Sequence, residues 1–321
     1  LIVTLTVNPA IDRTITVDRL AFEDRAYIES TKETAGGRGI NASSVIHSFG
    51  GRTLAILPAG GSSGKRFQEL IDQCGFPVVI VPIKNKVRTN LTITDRRGLT
   101  AKLNEHGPKL SKTEVDKVEK TLYGYLKEAS WLMLCGSLPP GAPPDFYARI
   151  ITHARERKVK VLLDTDGEAL RLGIAANPNI VSPNQEETER LLNTALITRT
   201  NCLQAAERLH RMGAESVMLS LGSRGAMGFQ GGKLYEAVPP RVDALCPIGA
   251  GDAQSAAFLW SVENREDFAQ SVRWGVAAGT ASAMLPGMNF ASLKETLAIF
   301  ERVEVQEVSE YPPHDSRAHR E

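Results

Sequence analysis

The stretch Cys246-Pro247-Ile248-Gly249-Ala250-Gly251-Asp252-Ala253-Gln254-Ser255 carries the most specific chemistry in the chain. It leads into an apolar run, Ala256-Ala257-Phe258-Leu259-Trp260, that reads as a helix, so two glycines and an acid fall at a helix start. The first turn of a helix presents unpaired N–H groups and the positive end of a dipole, which attract an anion. Gly249 and Gly251 let the backbone approach that anion closely. Asp252 adds a carboxylate able to take a proton from an attacking hydroxyl. These parts suit phosphoryl transfer to an alcohol, where positioning and charge stabilisation carry the reaction. The alternative is a glycine turn followed by an acid near a helix start, a common arrangement.

Further groups bear on the same chemistry. Asp12 and Gly36-Gly37-Arg38-Gly39-Ile40-Asn41 suit a polyhydroxy ligand, with glycine backbone to lie against and an acid and an amide for its hydroxyls. Arg88 and Asn90 point the same way along a strand, and Arg88 is a candidate for a phosphate on such a ligand. Lys102 lies on the strand expected to pair with theirs. Asn184 and Glu187, three apart at a helix start after Pro183, share a face and suit magnesium held through water and nucleotide phosphates. A capped, acid-rich helix start is the alternative there. Ser220-Leu221-Gly222-Ser223-Arg224-Gly225 follows a strand and is a second candidate for nucleotide phosphate. Two near-motifs fail. Ala59–Arg66 lacks the first Gly and the final Ser or Thr of a Walker A loop. Gly37–Ala42 fits the loose dinucleotide pattern, but no acid closes a strand about 20 residues later.

Stepping outward, Leu1–Val7 reads as a buried central strand. Thr14–Val17 and Tyr27–Lys32 alternate polar and apolar, as do Arg88–Thr94 and Thr100–Asn104, which turn at Asp95–Gly98. These two separated stretches predict a small β-lid over a site. Between and after them strands and helices alternate: helices over 40–49, 65–74, 111–127 with a Ser111/Glu114 capping box, 145–157, 184–192, 202–212, 268–285 and 292–300. Strands fall at 53–57, 78–81, 131–134, 159–163, 179–181 and 216–219, with a hairpin over 225–238 turning at Gly231-Gly232. The pattern predicts an open, mainly parallel sheet with helices on both faces. The expected division is a core of residues 1–11, 36–87 and 105–310, a lid of 12–35 and 88–104, and a polar, frayed tail at 311–321.

The 321 residues are 42% hydrophobic and 23% charged, an ordinary globular composition, with a formal net charge of +1. That balance argues against a nucleic-acid or anionic-membrane partner. No apolar run is long enough to span a bilayer, and the opening strand does not read as a leader. Cys74, Cys135, Cys202 and Cys246 are widely spaced, which excludes a zinc motif and predicts reduced thiols in a cytoplasmic protein. None of the six histidines pairs with a nucleophilic Ser or Cys, so a hydrolase triad has no support.

Taken in order, Asn8–Asp12, Gly36–Asn41, Arg88–Asn90, Lys102–Glu105, Gly136–Pro139, Asn184–Glu187, Ser220–Gly222 and Gly249–Asp252 resemble the motifs of the ribokinase-like (PfkB) sugar kinase family, in its hexose-phosphate kinase branch. The resemblance covers nearly the whole chain. It implies a three-layer αβα core with a β-lid, ATP and magnesium as cofactors, and a homodimer paired through the lid. It leaves open activation by a monovalent cation such as K⁺. By matched position Asp252 would be the base, and the N–H groups of Gly249, Ala250 and Gly251 an anion hole. Asp12, Gly36, Gly37, Arg38, Asn41 and Asn90 would hold the sugar, and Arg88 with Lys102 its phosphate. Asn184 and Glu187 would organise magnesium and nucleotide, and Ser220, Gly222 and Gly225 would contact ATP. The implied reaction converts a ketohexose phosphate to a bisphosphate, first fructose 1-phosphate to fructose 1,6-bisphosphate. Tagatose 6-phosphate, fructose 6-phosphate, an unphosphorylated sugar or nucleoside, and a non-catalytic sugar-phosphate sensor are the alternatives. The sequence departs from the family pattern at Arg38, where Lys is frequent, at His106, where the branch has Pro, and at Ala257, where Gly is frequent.

Overall fold

In a computed structural model of the chain, residues 1–21 and 23–308 are described; the tail expected at 311–321 lies outside the described residues. In chain order the elements are β1 (Ile2–Thr6), β2 (Ala10–Val17), β3 (Ile28–Gly36), α1 (Arg38–Ser48), β4 (Thr53–Gly60), α2 (Gly64–Ile71), β5 (Val78–Ile83), β6 (Arg88–Asp95) and β7 (Thr100–Asn104). There follow α3 (Lys112–Tyr125), β8 (Trp131–Cys135), α4 (Phe146–Glu156), β9 (Lys160–Asp164), α5 (Gly167–Ala175), β10 (Ile180–Val181), α6 (Gln185–Leu192) and α7 (Arg199–Arg211). The chain continues through β11 (Ser216–Ser220), β12 (Ala226–Gln230), β13 (Lys233–Val238), α8 (Ala250–Glu263), α9 (Phe268–Ala283), α10 (Leu293–Phe300) and β14 (Glu304–Val308).

β1 has no exposed residue, and a strand with two apolar faces must lie inside a covered sheet. It pairs in parallel with β4 on one side and β8 on the other. The large sheet runs β14-β13-β12-β11-β10-β9-β8-β1-β4-β5, parallel from β5 to β11 and antiparallel beyond. Alternate residues face opposite layers. Val3, Leu5, Leu132 and Leu134 pack against α3, α4, α5 and α7, while Ile2, Met133 and Cys135 pack against α1, α8 and α9. This is the expected three-layer αβα core. Two elements escaped the sequence reading, α5 and β14.

Strand order reverses at β1, and in open α/β sheets ligands bind at such a crevice, beyond the carboxyl ends of the strands. α8 is brought there by its packing. It is apolar nearly all round, with Ala253, Ala256, Ala257, Phe258 and Leu259 buried between the sheet and α9. Gly275 and Gly279 of α9 let the helices close up: a Cβ at either position would lie 2.9–3.0 Å from a carbonyl oxygen of α8. Burying Phe258 alone contributes roughly 2–3 kcal/mol, so the start of α8 is rigidly held.

The lid is a separate sheet, β3-β2-β6-β7, in which β2 pairs in parallel with β6. The two distant stretches are thus one sheet, as expected. The register places Asp12 opposite Asn90 and Thr34, and Thr92 opposite Lys102, so one face carries Arg88, Asn90, Asp12 and Lys102. The other carries Ile15, Leu91, Ile93 and Leu103, and Leu103 is 56% exposed.

Candidate active site

α8 begins where Gly249 bends the chain. Its φ is +81°, and a Cβ there would lie 2.9 Å from Phe290 Cε1, so only glycine fits. The N–H groups of Gly249, Gly251 and Asp252 meet no acceptor among the described residues, whereas that of Ala250 donates to the Pro247 carbonyl at 3.2 Å. The expected trio of donors therefore changes by one member: Ala250 closes the turn, and Asp252 offers its own N–H. A Cβ on Gly251 would face open space. Free donors, a helix dipole and room for a group coincide at one point.

Asp252 sits in the first turn, where its Oδ2 accepts from the Asn41 amide at 2.7 Å. Burial and the neighbouring Asp164 carboxylate push its pKa up to about 7; Arg38 and Asn41 pull the other way, and Asp12 adds to the rise. A carboxylate poised near neutrality is suited to accept a proton from an alcohol. Asn41 is fixed one turn into α1, its N–H bonded to Gly37 O at 3.0 Å.

Above this point the lid contributes Asp12, whose Oδ1 accepts from Asn90 Nδ2 at 2.8 Å. Burial raises the Asp12 pKa against the pull of Asn90 and Arg88. A Cβ at Gly36 would fall 1.9 Å from Asp12 Oδ2, and one at Gly37 2.7 Å from Thr6 Cγ2. These glycines make room for the protein's own side chains. Arg88 is half-buried rather than a free lid charge: its Nη1 donates to Glu105 O and its Nη2 to Asn8 O, both at 3.0 Å. Burial lowers its pKa against the pull of Asp12 and Glu105. Arg88 Nε, Asn8 Oδ1 and Asn90 Oδ1 are buried without partners, and buried polar atoms left so around a pocket call for a ligand or water. A cavity of about 350 Å³ opens beside Lys86, Arg88, Glu105 and His106, next to one of about 410 Å³ lined in part by His106, Ser137 and Asp166. Lys102 is on the same lid face but exposed.

Arg38 departs from the sequence reading. It belongs to the glycine loop, yet its guanidinium leaves the Asp12 pocket and bonds Asp164 Oδ1 at 2.7 Å and Glu187 Oε1 at 2.8 Å. Burial opposes its charge, but Asp164, Glu187 and Asp252 outweigh it and raise its pKa well above the usual value. Asp164 and Asp166 belong to no motif singled out in the sequence. The signal that would have found them is an acid closing a buried strand, since β9 ends on Asp164 at the carboxyl edge of the sheet.

On the far side, Asn184 caps α6. Its Oδ1 accepts from Glu187 N, and Glu187 Oε2 accepts from Asn184 N, each at 2.9 Å. A bridge between Asn184 and Ser220 joins them to the end of β11. Gly222 has φ +60° with open space around it, whereas a Cβ at Gly225 would strike Ala237 O at 2.0 Å. Gly225 thus makes the turn into β12. Among the described residues no group of three or more His, Cys, Asp or Glu is arranged to hold a metal ion. One carboxylate beside an amide fits a hydrated magnesium ion carried in by nucleotide phosphates rather than a permanent metal cage.

Core, lid and cleft together define the ribokinase-like α/β fold. The pfkB family carbohydrate kinase profile matches residues 5–295, and the chain belongs to this family. It is 32% identical over 306 residues to the ATP-dependent 6-phosphofructokinase isozyme 2 of Mycobacterium tuberculosis, covering 94% of this chain and 89% of that one. It is 31% identical over 300 residues to the 1-phosphofructokinase of Borreliella burgdorferi, covering 92% and 96%. Escherichia coli phosphofructokinase-2, solved in complex with substrates and products, superposes with a TM-score of 0.87 at 30% identity, covering 94% of this chain and 98% of that one.

Proposed function

We propose that the protein transfers the γ-phosphoryl group of ATP to a hydroxyl of a ketohexose phosphate, with fructose 1-phosphate as acceptor and fructose 1,6-bisphosphate as product. The observation that carries this reading is Asp252. Its pKa is lifted to about 7, it is held by Asn41, and it stands beside free helix N–H groups. Asp12, Asn90 and Asn41 hold the sugar hydroxyls, and Arg88, with Lys102 above it, faces the phosphate. Asp252 takes the acceptor proton as the alkoxide oxygen bonds to the γ-phosphorus and the bond to ADP breaks. The N–H groups of Gly249, Gly251 and Asp252 stabilise the transferring phosphoryl. Asn184, Ser220 and Gly222 seat the nucleotide, and magnesium held through water at Glu187 neutralises phosphate charge.

Fructose 6-phosphate is the second reading, favoured by the 32% identity to a 6-phosphofructokinase; it gives the same bisphosphate. The half-apolar outer face of the lid, with Leu103 exposed, supports a homodimer formed there. Among the described residues no helix is long and apolar enough to cross a membrane, and all four cysteines are free, which supports a cytoplasmic enzyme. The test is ADP release from Mg-ATP with fructose 1-phosphate, fructose 6-phosphate, tagatose 6-phosphate, and free fructose, ribose and adenosine. A dominant kcat/KM for one ketohexose phosphate establishes the reading. Activity on neutral acceptors alone removes the role given to Arg88. Silence from the folded protein, with tight sugar-phosphate binding, turns it into a sensor.

A further inference from the structure

Asn8 lies between β1 and β2, where the chain leaves the core for the lid, and it is 4% exposed. Three separated stretches meet on it. Its Nδ2 donates to the His106 carbonyl at 3.1 Å and to Ser137 Oγ at 3.4 Å, 98 and 129 residues away. Its own carbonyl accepts from Arg88 Nη2, while Arg88 Nη1 donates to Glu105 O, both at 3.0 Å. Gly107 closes against the same amide: its φ is +101°, and a Cβ there would fall 2.1 Å from Asn8 Oδ1. Arg88, Glu105, His106 and Gly107 line one of the two cavities, and His106 and Ser137 the other, whereas Asn8 lines neither. Asn8 therefore stands behind the wall of the cleft. Its bond to residue 106 uses the backbone carbonyl, which proline supplies as well as histidine, so the departure from the family pattern at His106 leaves this contact intact.

We propose that Asn8 is a positioning residue for the acceptor phosphate, acting through Arg88. The proposal rests on Arg88 as the residue that meets that phosphate. Two carbonyls aim the guanidinium. One belongs to Asn8 itself, and the other sits on the turn Glu105–Gly107 that the Asn8 amide holds. A guanidinium has five N–H donors, and one anchored at both terminal nitrogens presents the remaining three in a fixed direction. That is what capture of a phosphate by a planar fork requires. Without the Asn8 amide the turn loses its tether, Glu105 O moves with it, and Arg88 keeps one anchor of two.

The test is calorimetric titration of fructose 1-phosphate and fructose 6-phosphate, without nucleotide, into the full chain, Asn8→Ala, Arg88→Ala and the double variant. Asn8→Ala is expected to bind the preferred sugar phosphate about five- to tenfold more weakly, as for loss of one hydrogen bond. The double variant should bind as weakly as Arg88→Ala and no more weakly, because Asn8 acts through Arg88. Unchanged binding in Asn8→Ala overturns the proposal. Losses that multiply in the double variant also overturn it, since they mark a role independent of Arg88. If Asn8→Ala does not fold, Asn8→Ser is read by the same outcomes, and failure of both to fold overturns the proposal by assigning Asn8 to the fold alone. Absence of sugar-phosphate binding by the unmodified protein removes the acceptor phosphate and the proposal with it, whereas binding that Asn8→Ala leaves unchanged fails the proposal alone.

Discussion

Replacing Asp252 by asparagine keeps the shape of the side chain and an oxygen for the Asn41 amide, but removes the ionisable group. The carboxyl titrates at about 7 in the folded chain against 3.8 when unperturbed, chiefly through burial and the charge of Asp164. A raised carboxyl pKa means that the folded state holds the proton more tightly than the unfolded state. The associated stability is complete below pH 3.8 and is lost as pH rises through 7. Relative to a neutral side chain, the wild-type penalty is roughly 2 kcal/mol at pH 5 and approaches about 4 kcal/mol at pH 8, at 1.36 kcal/mol for each pH unit between the two pKa values. Asp252→Asn is therefore expected to melt at higher temperature than the wild type, by a margin larger at pH 8 than at pH 5. Turnover should fall about 10²- to 10⁴-fold, the range for loss of a general base. The acidic limb of the wild-type kcat/KM profile, which reports the free enzyme, should have its midpoint near pH 7. The measurements are ligand-free thermal melts of both proteins at the two pH values, with ADP-release rates. A margin that is absent, or that does not shrink at pH 5, refutes the claim that the cleft strains this carboxylate. Retained turnover refutes its role as base.

Gly251→Ala places a methyl group in open space, so melting temperature should hold or rise slightly while kcat falls, because the methyl takes room assigned to the phosphoryl group; equal activity in the variant would remove Gly251 from the site. Arg88→Ala should raise KM for a ketohexose phosphate about 10- to 100-fold, the worth of a charged hydrogen bond, and leave KM for free fructose nearly unchanged. Parallel shifts for both acceptors would show that Arg88 supports the Asn8 and Glu105 carbonyls and nothing more. Leu103→Lys puts a charge on the outer face of the lid and should shift sedimentation from dimer to monomer while changing the stability of the monomer by no more than about 0.5 kcal/mol; an unchanged sedimentation coefficient would place any dimer elsewhere.

Period and punctuation made most of the fold legible. The strand β8 is apolar throughout, β1 is buried along its whole length, the lid strands alternate, and the capping box at Ser111 fixes a helix start by local hydrogen bonds alone. What escaped depends on distant packing. α5 opens on Gly167 at φ +59° and contains Gly173, whose missing side chain makes room for Leu163 Cδ2, 2.5 Å from where a Cβ would be. Both glycines argue locally against a helix, and only the fit against β9 explains them. β14 is a short edge strand whose pairing with β13 is nonlocal. The site divides in the same way. Gly249, Gly251 and Asp252 are adjacent, so their joint geometry follows from one helix start. The Arg38 contacts to Asp164 and Glu187 span 126 and 149 residues, beyond the reach of any local pattern.

The charges in the cleft tie Asp252 to its neighbours. Asp164 lifts the pKa of Asp252, and Arg38 pulls it down. Without Arg38, Asp164 and Glu187 would be buried anions facing another carboxyl, and breaking such a pairing costs about 3–5 kcal/mol. With a more mobile cation in its place, the restraint on Asp252 would vary with the cation's position. A fixed guanidinium opposes the rise of the Asp252 pKa from one constant position. The free N–H groups at the start of α8 stand beside the Asp252 carboxyl with no acceptor of their own among the described residues. They are positioned to act only on a group that brings negative charge, which separates the resting balance of the cleft from the charge that develops during transfer.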